Sequence, residues 1–155
     1  MIKIISLRTV ELNKYLTGEI LKLKDTHWKK GLQSQRKFFK KNILDKDTHI
    51  LLFYGKKLSG YVLLRDRKCL YKKKTISYLL FDTLIIKENL RNKKLSSILM
   101  NFTNNIIKFK NKRSILFCNR DVIKYYKKFE WKKVSCANLK LNIKKPLKKS
   151  ILIYN

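Results

Sequence analysis

Glycine and proline are almost missing from this sequence: it carries four Gly and one Pro in 155 residues. With so few chain breakers, segment limits have to be read from hydrophobic periodicity. No Gly- or Pro-rich linker, low-complexity tract or internal repeat divides the chain, and its length is that of a single domain (~100–200 residues). One domain over 1–155 is therefore expected. Cysteine is scarce as well. Cys69, Cys118 and Cys136 are odd in number, far apart and without a CxxC pair, and His27 and His49 are the only histidines. Neither a disulfide framework nor a metal site follows from that set. No apolar run reaches the ~18 residues of a membrane span. The longest, around Ile76–Ile86, is interrupted by Asp82. The N-terminal MIKIISLRTVE is charged too soon for a secretory signal, and neither end carries a lipidation motif. These absences predict a cytoplasmic protein with no metal and no membrane span.

Acidic residues are the next shortage. Ten Asp and Glu face 39 Lys and Arg, a net charge of +29. Such a field attracts polyanions, whether nucleic acid, a membrane surface or a phosphorylated ligand. Lys, however, far outnumbers Arg and is spread from Lys3 to Lys149, with Ile and Asn abundant. That is the pattern of an AT-rich coding sequence. Nucleic-acid sites favour Arg forks and a clustered basic face. Most of the charge is read here as compositional, and a nucleic-acid partner is the weaker alternative. At 45% apolar and 12% aromatic residues the chain is globular rather than disordered.

Ile2–Ser6 reads as a strand, and Val10–Lys24 as a helix with Leu12, Leu16, Ile20 and Leu23 on one face. Ser34–Asn42 reads as a second helix, capped by Ser34, with Phe38, Phe39 and Ile43 inward. The period then shortens. His49–Tyr54 and Leu58–Arg65 form a hairpin around Gly55-Lys56-Lys57, and Thr75–Ile86 is a long strand. Leu95–Lys110 is a helix with Leu95, Ile98, Leu99, Phe102, Ile106 and Phe109 apolar. Ser114–Cys118 is a buried strand, Asp121–Phe129 a short helix capped by Asp121, and Trp131–Cys136 and Ser150–Tyr154 are closing strands. The order β-α-α-β-β-β-α-β-α-β-β predicts an α/β fold: a mixed, mostly antiparallel sheet with helices on both faces and one central β-α-β unit.

The chemistry concentrates in Leu79–Trp131. Strand Leu80–Ile86 feeds a polar loop, Lys87–Asn92, that opens the helix at Leu95. Such a junction presents free backbone N–H groups and the positive end of a helix dipole, which suit a phosphate. After the next strand come Asn119, Val122, Tyr125, Tyr126, Lys128 and Trp131, at spacings that resemble the end of the GNAT acetyltransferase core. Arg91 resembles the first position of that family's pyrophosphate loop, Arg/Gln-x-x-Gly-x-Gly/Ala. Asp82 and Leu84-Ile85-Ile86 resemble its central strand. Leu21–Trp28, Ser34-Gln35, His49–Leu52 and Gly60–Leu64 resemble the helices and hairpin before the core. Lys94 and Ser96 stand at the two small loop positions, and Glu130 at the usual Gly before the last aromatic.

The resemblance implies an acyl-coenzyme-A-dependent N-acyltransferase, with acetyl-CoA or another acyl-CoA as cosubstrate and a small primary amine or amino sugar as acceptor. Backbone amides of Lys93, Lys94, Leu95, Ser96 and Ser97, with Arg91 and Asn92, would hold the pyrophosphate. Leu84, Ile85 and Ile86 would pair with the pantetheine arm beside Asn119. Tyr126 would be the general acid. Asp82 is the first candidate base and His49 the second, each equally readable as a structural residue. Cys118 has no neighbouring base and is not read as a nucleophile. The His27-Trp28 pair lines an acceptor pocket or packs a helix end. A monomer or homodimer is expected. The alternatives are a toxin-like enzyme acting on aminoacyl-tRNA and a basic nucleic-acid-binding or degenerate relative without activity.

Overall fold

The structure, a computed structural model, describes residues 1–154; Asn155, the end of the expected domain, lies outside the described residues. Along the chain run β1 (Ile2–Arg8), α1 (Lys14–Trp28), α2 (Leu32–Asn42), β2 (Thr48–Tyr54), β3 (Lys57–Tyr71), β4 (Lys74–Ile86), α3 (Leu95–Lys110), β5 (Ser114–Cys118), α4 (Ile123–Lys127), β6 (Lys132–Val134), α5 (Cys136–Leu139) and β7 (Ser150–Tyr154). Among the described residues seven strands form one sheet, in the order β1-β2-β3-β4-β5-β7-β6. β1 with β2, β2 with β3, and β7 with both β5 and β6 are antiparallel, and β4 with β5 is parallel. This is the mixed, mostly antiparallel α/β sheet expected, with β4-α3-β5 as its β-α-β unit.

Several limits move for identifiable reasons. Helix α1 begins four residues later than the apolar spacing suggests, because the Asn13 side chain accepts from Leu16 N at 2.8 Å and caps it there. Thr9–Glu11 forms a 3-10 turn instead. Helix α2 starts after Gly31, at φ 82, so Ser34 lies inside it rather than at its cap. Phe38 is not inward: it is 37% exposed, and Lys24 Nζ lies 4.7 Å from its ring centre. Gln35 is the residue α2 buries. Phe109 is likewise 90% exposed. Strand β3 runs to Tyr71, where Lys72 and Lys73, at φ 47 and 61, turn the chain into β4. Two successive positive φ values make a type I′ turn, a place where Asn-Gly is usual. The Asp121–Phe129 helix shortens to α4 behind a 3-10 turn over Arg120–Val122. Trp131–Cys136 shortens to β6, and the unexpected α5 is capped by Ser135.

The contacts group into two compact units. The first holds Met1–Arg65 and Thr83–Met100. Its core packs Ile20, Leu23, Leu51, Tyr61, Leu63 and Ile85, all buried. The β2 and β3 strands alternate onto this core, and α1 contributes its i, i+3 face. Gly60 on β3 makes the closest approach: a Cβ there would lie 2.8 Å from Ile86 Cδ1 and 3.2 Å from Leu52 Cβ.

The second unit holds Asp66–Asp82 and Asn101–Asn155. Tyr78, Ile115, Leu139, Leu141 and Ile151 form one cluster there. Trp131, 1% exposed, centres an aromatic group with Phe81, Tyr126 and Tyr154 at ring distances of 5.4–6.4 Å. Its indole N–H donates to Asn104 Oδ1 at 3.1 Å, and the Asn104 amide donates to the Phe129 carbonyl at 2.9 Å. These two bonds satisfy the buried indole N–H of Trp131 and the side chain of Asn104.

Candidate functional site

In the first unit, the site begins where β4 outlasts its partner. The parallel ladder covers Leu79↔Ser114, Leu80↔Ile115 and Phe81↔Leu116, and β4 continues past it to Ile86. Thr83, Ile85 and Ile86 are buried and Leu84 is half-buried. A 3-10 turn over Glu88–Leu90 follows. The chain then reaches α3 through two left-handed residues, Asn92 at φ 63 and Lys94 at φ 57. Lys94 O receives the first helical bonds, from Ser97 N at 3.1 Å and Ile98 N at 3.2 Å. Leu95 and Ser96 therefore start the helix with amides that have no intrahelical acceptor. No acidic residue stands in the first turn. Arg91, Asn92, Lys93 and Lys94 are all exposed, whereas Leu95 is buried and Ser96 and Ser97 are half-buried.

Arg91 is held at the strand end. Its Nε donates to the Ile86 carbonyl at 3.4 Å and its Nη2 to His27 Nδ1 at 3.3 Å. His27, at the last turn of α1, also sits edge-on to Trp28 at 4.7 Å. A cleft of about 320 Å³ opens here, with His27, Ile85, Ile86, Glu88 and Arg91 in its lining. It pairs an apolar floor with a few polar groups, the usual make-up of a small-molecule site.

His49 lies elsewhere in this unit, on β2. It has no exposed surface. Its Nε2 lies 2.8 Å from Thr9 Oγ1 and its Nδ1 2.8 Å from Tyr61 OH, and the Phe39 and Tyr61 rings lie near-parallel to it at 5.8 and 5.9 Å. Burial lowers its pKa to about 4. A neutral ring with both nitrogens engaged and no access is built as a packing element.

In the second unit, Tyr126 on α4 is 9% exposed. Its ring meets Phe81 edge-on at 6.1 Å and Tyr125 at 5.3 Å. Burial first, then Cys118 and Tyr125, raises its pKa well above the ordinary phenol value. It therefore keeps its proton across the working pH range. Asn119 Oδ1 accepts from Lys149 Nζ. Asp82 is exposed on β4, between buried Phe81 and Thr83. Burial pushes the Cys118 thiol up, partly countered by Lys149, so it lacks the thiolate character of a nucleophile.

No family sequence model matches the chain, and no curated protein matches it in sequence. Solved structures do match it in shape. ElaA of Escherichia coli is 16% identical with a TM-score of 0.75, each chain covered in full. An acyl-CoA N-acyltransferase of Pseudomonas aeruginosa is 10% identical, also at 0.75 and with full coverage of both chains. YlbP, an N-acetyltransferase of Bacillus subtilis solved with coenzyme A, is 17% identical at 0.61, covering 100% of this chain and 97% of its own. The fold is that of the GNAT acyltransferases.

Within a GNAT fold, the junction of β4 with α3 fits the pyrophosphate of coenzyme A on its own chemistry. It combines first-turn amides, the Arg91, Lys93 and Lys94 cations, and no acid in that turn. Lys94 and Glu130, which replace glycines of the family pattern, take left-handed φ values of 57 and 66. Both residues hold a conformation that glycine adopts freely, at a cost of roughly 1–2 kcal/mol per residue. The Arg91–His27 bond and the place of Glu88 in the cleft have no counterpart in the motif reading. His27 and Arg91 are 64 positions apart, and only the tertiary fold joins them.

Proposed function

We propose that the protein moves an acetyl or other acyl group from coenzyme A to a primary amine of a small molecule or amino sugar. The observation that carries this reading is the left-handed loop into α3 beside a β4 strand that outlasts its β5 ladder. The GNAT fold and a neighbour solved with coenzyme A support it.

Acyl-CoA enters as a cosubstrate and supplies the activated thioester. The amides of Lys93–Ser96 hold its pyrophosphate, helped by Arg91 and Lys94, whereas the Ser97 amide expected to join them donates to Lys94 O. The backbone of Leu84–Ile86 offers strand pairing to the pantetheine arm, and Asn119 offers it a side-chain amide. A backbone N–H near Leu84 polarises the thioester carbonyl. The amine nitrogen attacks the carbonyl carbon, the C–N bond forms and the C–S bond breaks. The amine proton passes to Asp82, directly or through water, and the leaving sulfur takes the proton of Tyr126. Asp82 is preferred to His49 because Asp82 is exposed and His49 is sealed from solvent.

Acetyl-CoA at 100 times its Kd should stabilise the native chain by about 2.7 kcal/mol, raising its melting temperature. An unchanged melting temperature at millimolar acetyl-CoA would leave the fold without its cosubstrate and overturn the proposal.

A further inference from the structure

A different concavity, of about 200 Å³, lies in the second unit beside the end of β5. Arg120, Lys133, Lys145, Lys148 and Lys149 line it, and no Asp or Glu is among its described lining residues. The strand registers bring these cations together. Cys118 pairs with Ser150, which sets Lys149 and Lys148 beside the chain that continues into Arg120. Lys133 pairs with Leu152 on the other edge of β7. Asp121, which acts on Cys118 together with Lys149, is a neighbouring carboxylate.

Some cations elsewhere meet acids: Lys112 lies 2.6 Å from Asp66, and Lys22 3.0 Å from Glu19. Here five like charges border one small hollow. An anion entering the hollow would meet several cations at once. A concave cluster also focuses the field more than scattered surface lysines do. The Arg fork and Lys ammoniums suit phosphate oxygens, and Ser150, only 8% exposed, adds a hydroxyl to the lining. The volume suits one phosphoryl or diphosphate group. An extended nucleic-acid strand would need a long basic stripe instead.

We propose that this hollow binds the phosphate of a small phosphorylated molecule, using residues none of which belongs to the α3 junction. Exposed Cys136 lines the hollow and reports on it, whereas Cys118 is buried.

The test is alkylation of Cys136 in the full chain by neutral iodoacetamide, followed by peptide mass mapping, with inorganic pyrophosphate as the probe. Pyrophosphate should slow labelling saturably in wild type, and the protective concentration should rise by at least ~10-fold in a Lys145→Glu/Lys148→Glu variant, about 1.4 kcal/mol. Saturating acetyl-CoA, which has no free thiol to consume the reagent, should leave the protection in place, which separates this hollow from the α3 junction. Equal labelling at every pyrophosphate concentration would overturn the proposal. So would equal protection by sodium chloride of matched ionic strength, or protection relieved by acetyl-CoA. Protection by a short single-stranded RNA but not by pyrophosphate would also overturn it, in favour of a nucleic-acid surface.

Discussion

Single residues carry the least ordinary features of this chain. Lys94 and Glu130 hold left-handed φ values that a Cβ disfavours. Lys94→Gly and Glu130→Gly should each raise unfolding stability by about 1 kcal/mol in urea titrations, net of glycine's larger unfolded-state entropy. A loss of stability in both would mean that the lysine and glutamate side chains make compensating contacts. His49 sets a pH dependence. Its folded pKa of about 4 lies below the ordinary 6.5, so the unfolded chain binds more protons between those values. Stability from keeping His49 neutral is present above pH 6.5 and lost as pH falls toward 4, by up to about 3 kcal/mol. In melts from pH 4 to 8, His49→Gln should be less sensitive than wild type over that window. At Tyr126, loss of the phenol should leave acetyl-CoA binding intact. Turnover of Tyr126→Phe should fall by roughly 10²–10⁴-fold in steady-state assays. Because burial keeps the phenol protonated, the wild-type rate should show no fall from Tyr126 below about pH 10. Unchanged turnover would return Tyr126 to the aromatic packing around Trp131.

Among the elements, β4 and α3 frame the junction, and Gly60 on β3 lets the end of β4 pack close. In Gly60→Ala the new Cβ meets Ile86 Cδ1, Leu52 Cβ and Leu99 Cδ2. Ile86 can swing away, but Leu52 Cβ is fixed to its strand. A destabilisation of about 1–3 kcal/mol is expected in urea titrations, with weaker acetyl-CoA binding because Ile86 ends the proposed pantetheine strand. Stability matching wild type would show that the β3 backbone shifts freely. Elements of this kind were the legible ones. Helix α3 and strands β5 and β7 start and stop where periodicity and buried runs predict, because Leu95, Leu99 and the apolar Ser114–Cys118 and Ser150–Tyr154 runs admit one reading. The far half of β3 was not legible. Asp66, Arg67 and Lys68 interrupt its apolar pattern, and the Lys72-Lys73 turn lacks the Asn or Gly that marks such turns. Helix α5 is too short for a period to register. The motif residues around Arg91, and those around Tyr126, could each be read from spacing. The burial of His49 and its clasp by Thr9 and Tyr61 depend on strand register, which spacing does not encode.

Across the whole molecule the charge and the fold give separate information. The +29 charge reflects Lys throughout the chain, and such a field assists the approach of a phosphorylated cosubstrate without identifying the acceptor. The fold is that of the GNAT acyltransferases, and the proposed acyl transfer rests on the loop into α3, where Lys94 takes a left-handed conformation. The direct measurement is incubation of the purified chain with acetyl-CoA and a panel of small primary amines and amino sugars, read by mass spectrometry. The account predicts free coenzyme A and an N-acetylated product in matching amounts for at least one amine, formed far more slowly by Tyr126→Phe. Intact acetyl-CoA across the whole panel, with no N-acetylated amine, would contradict it.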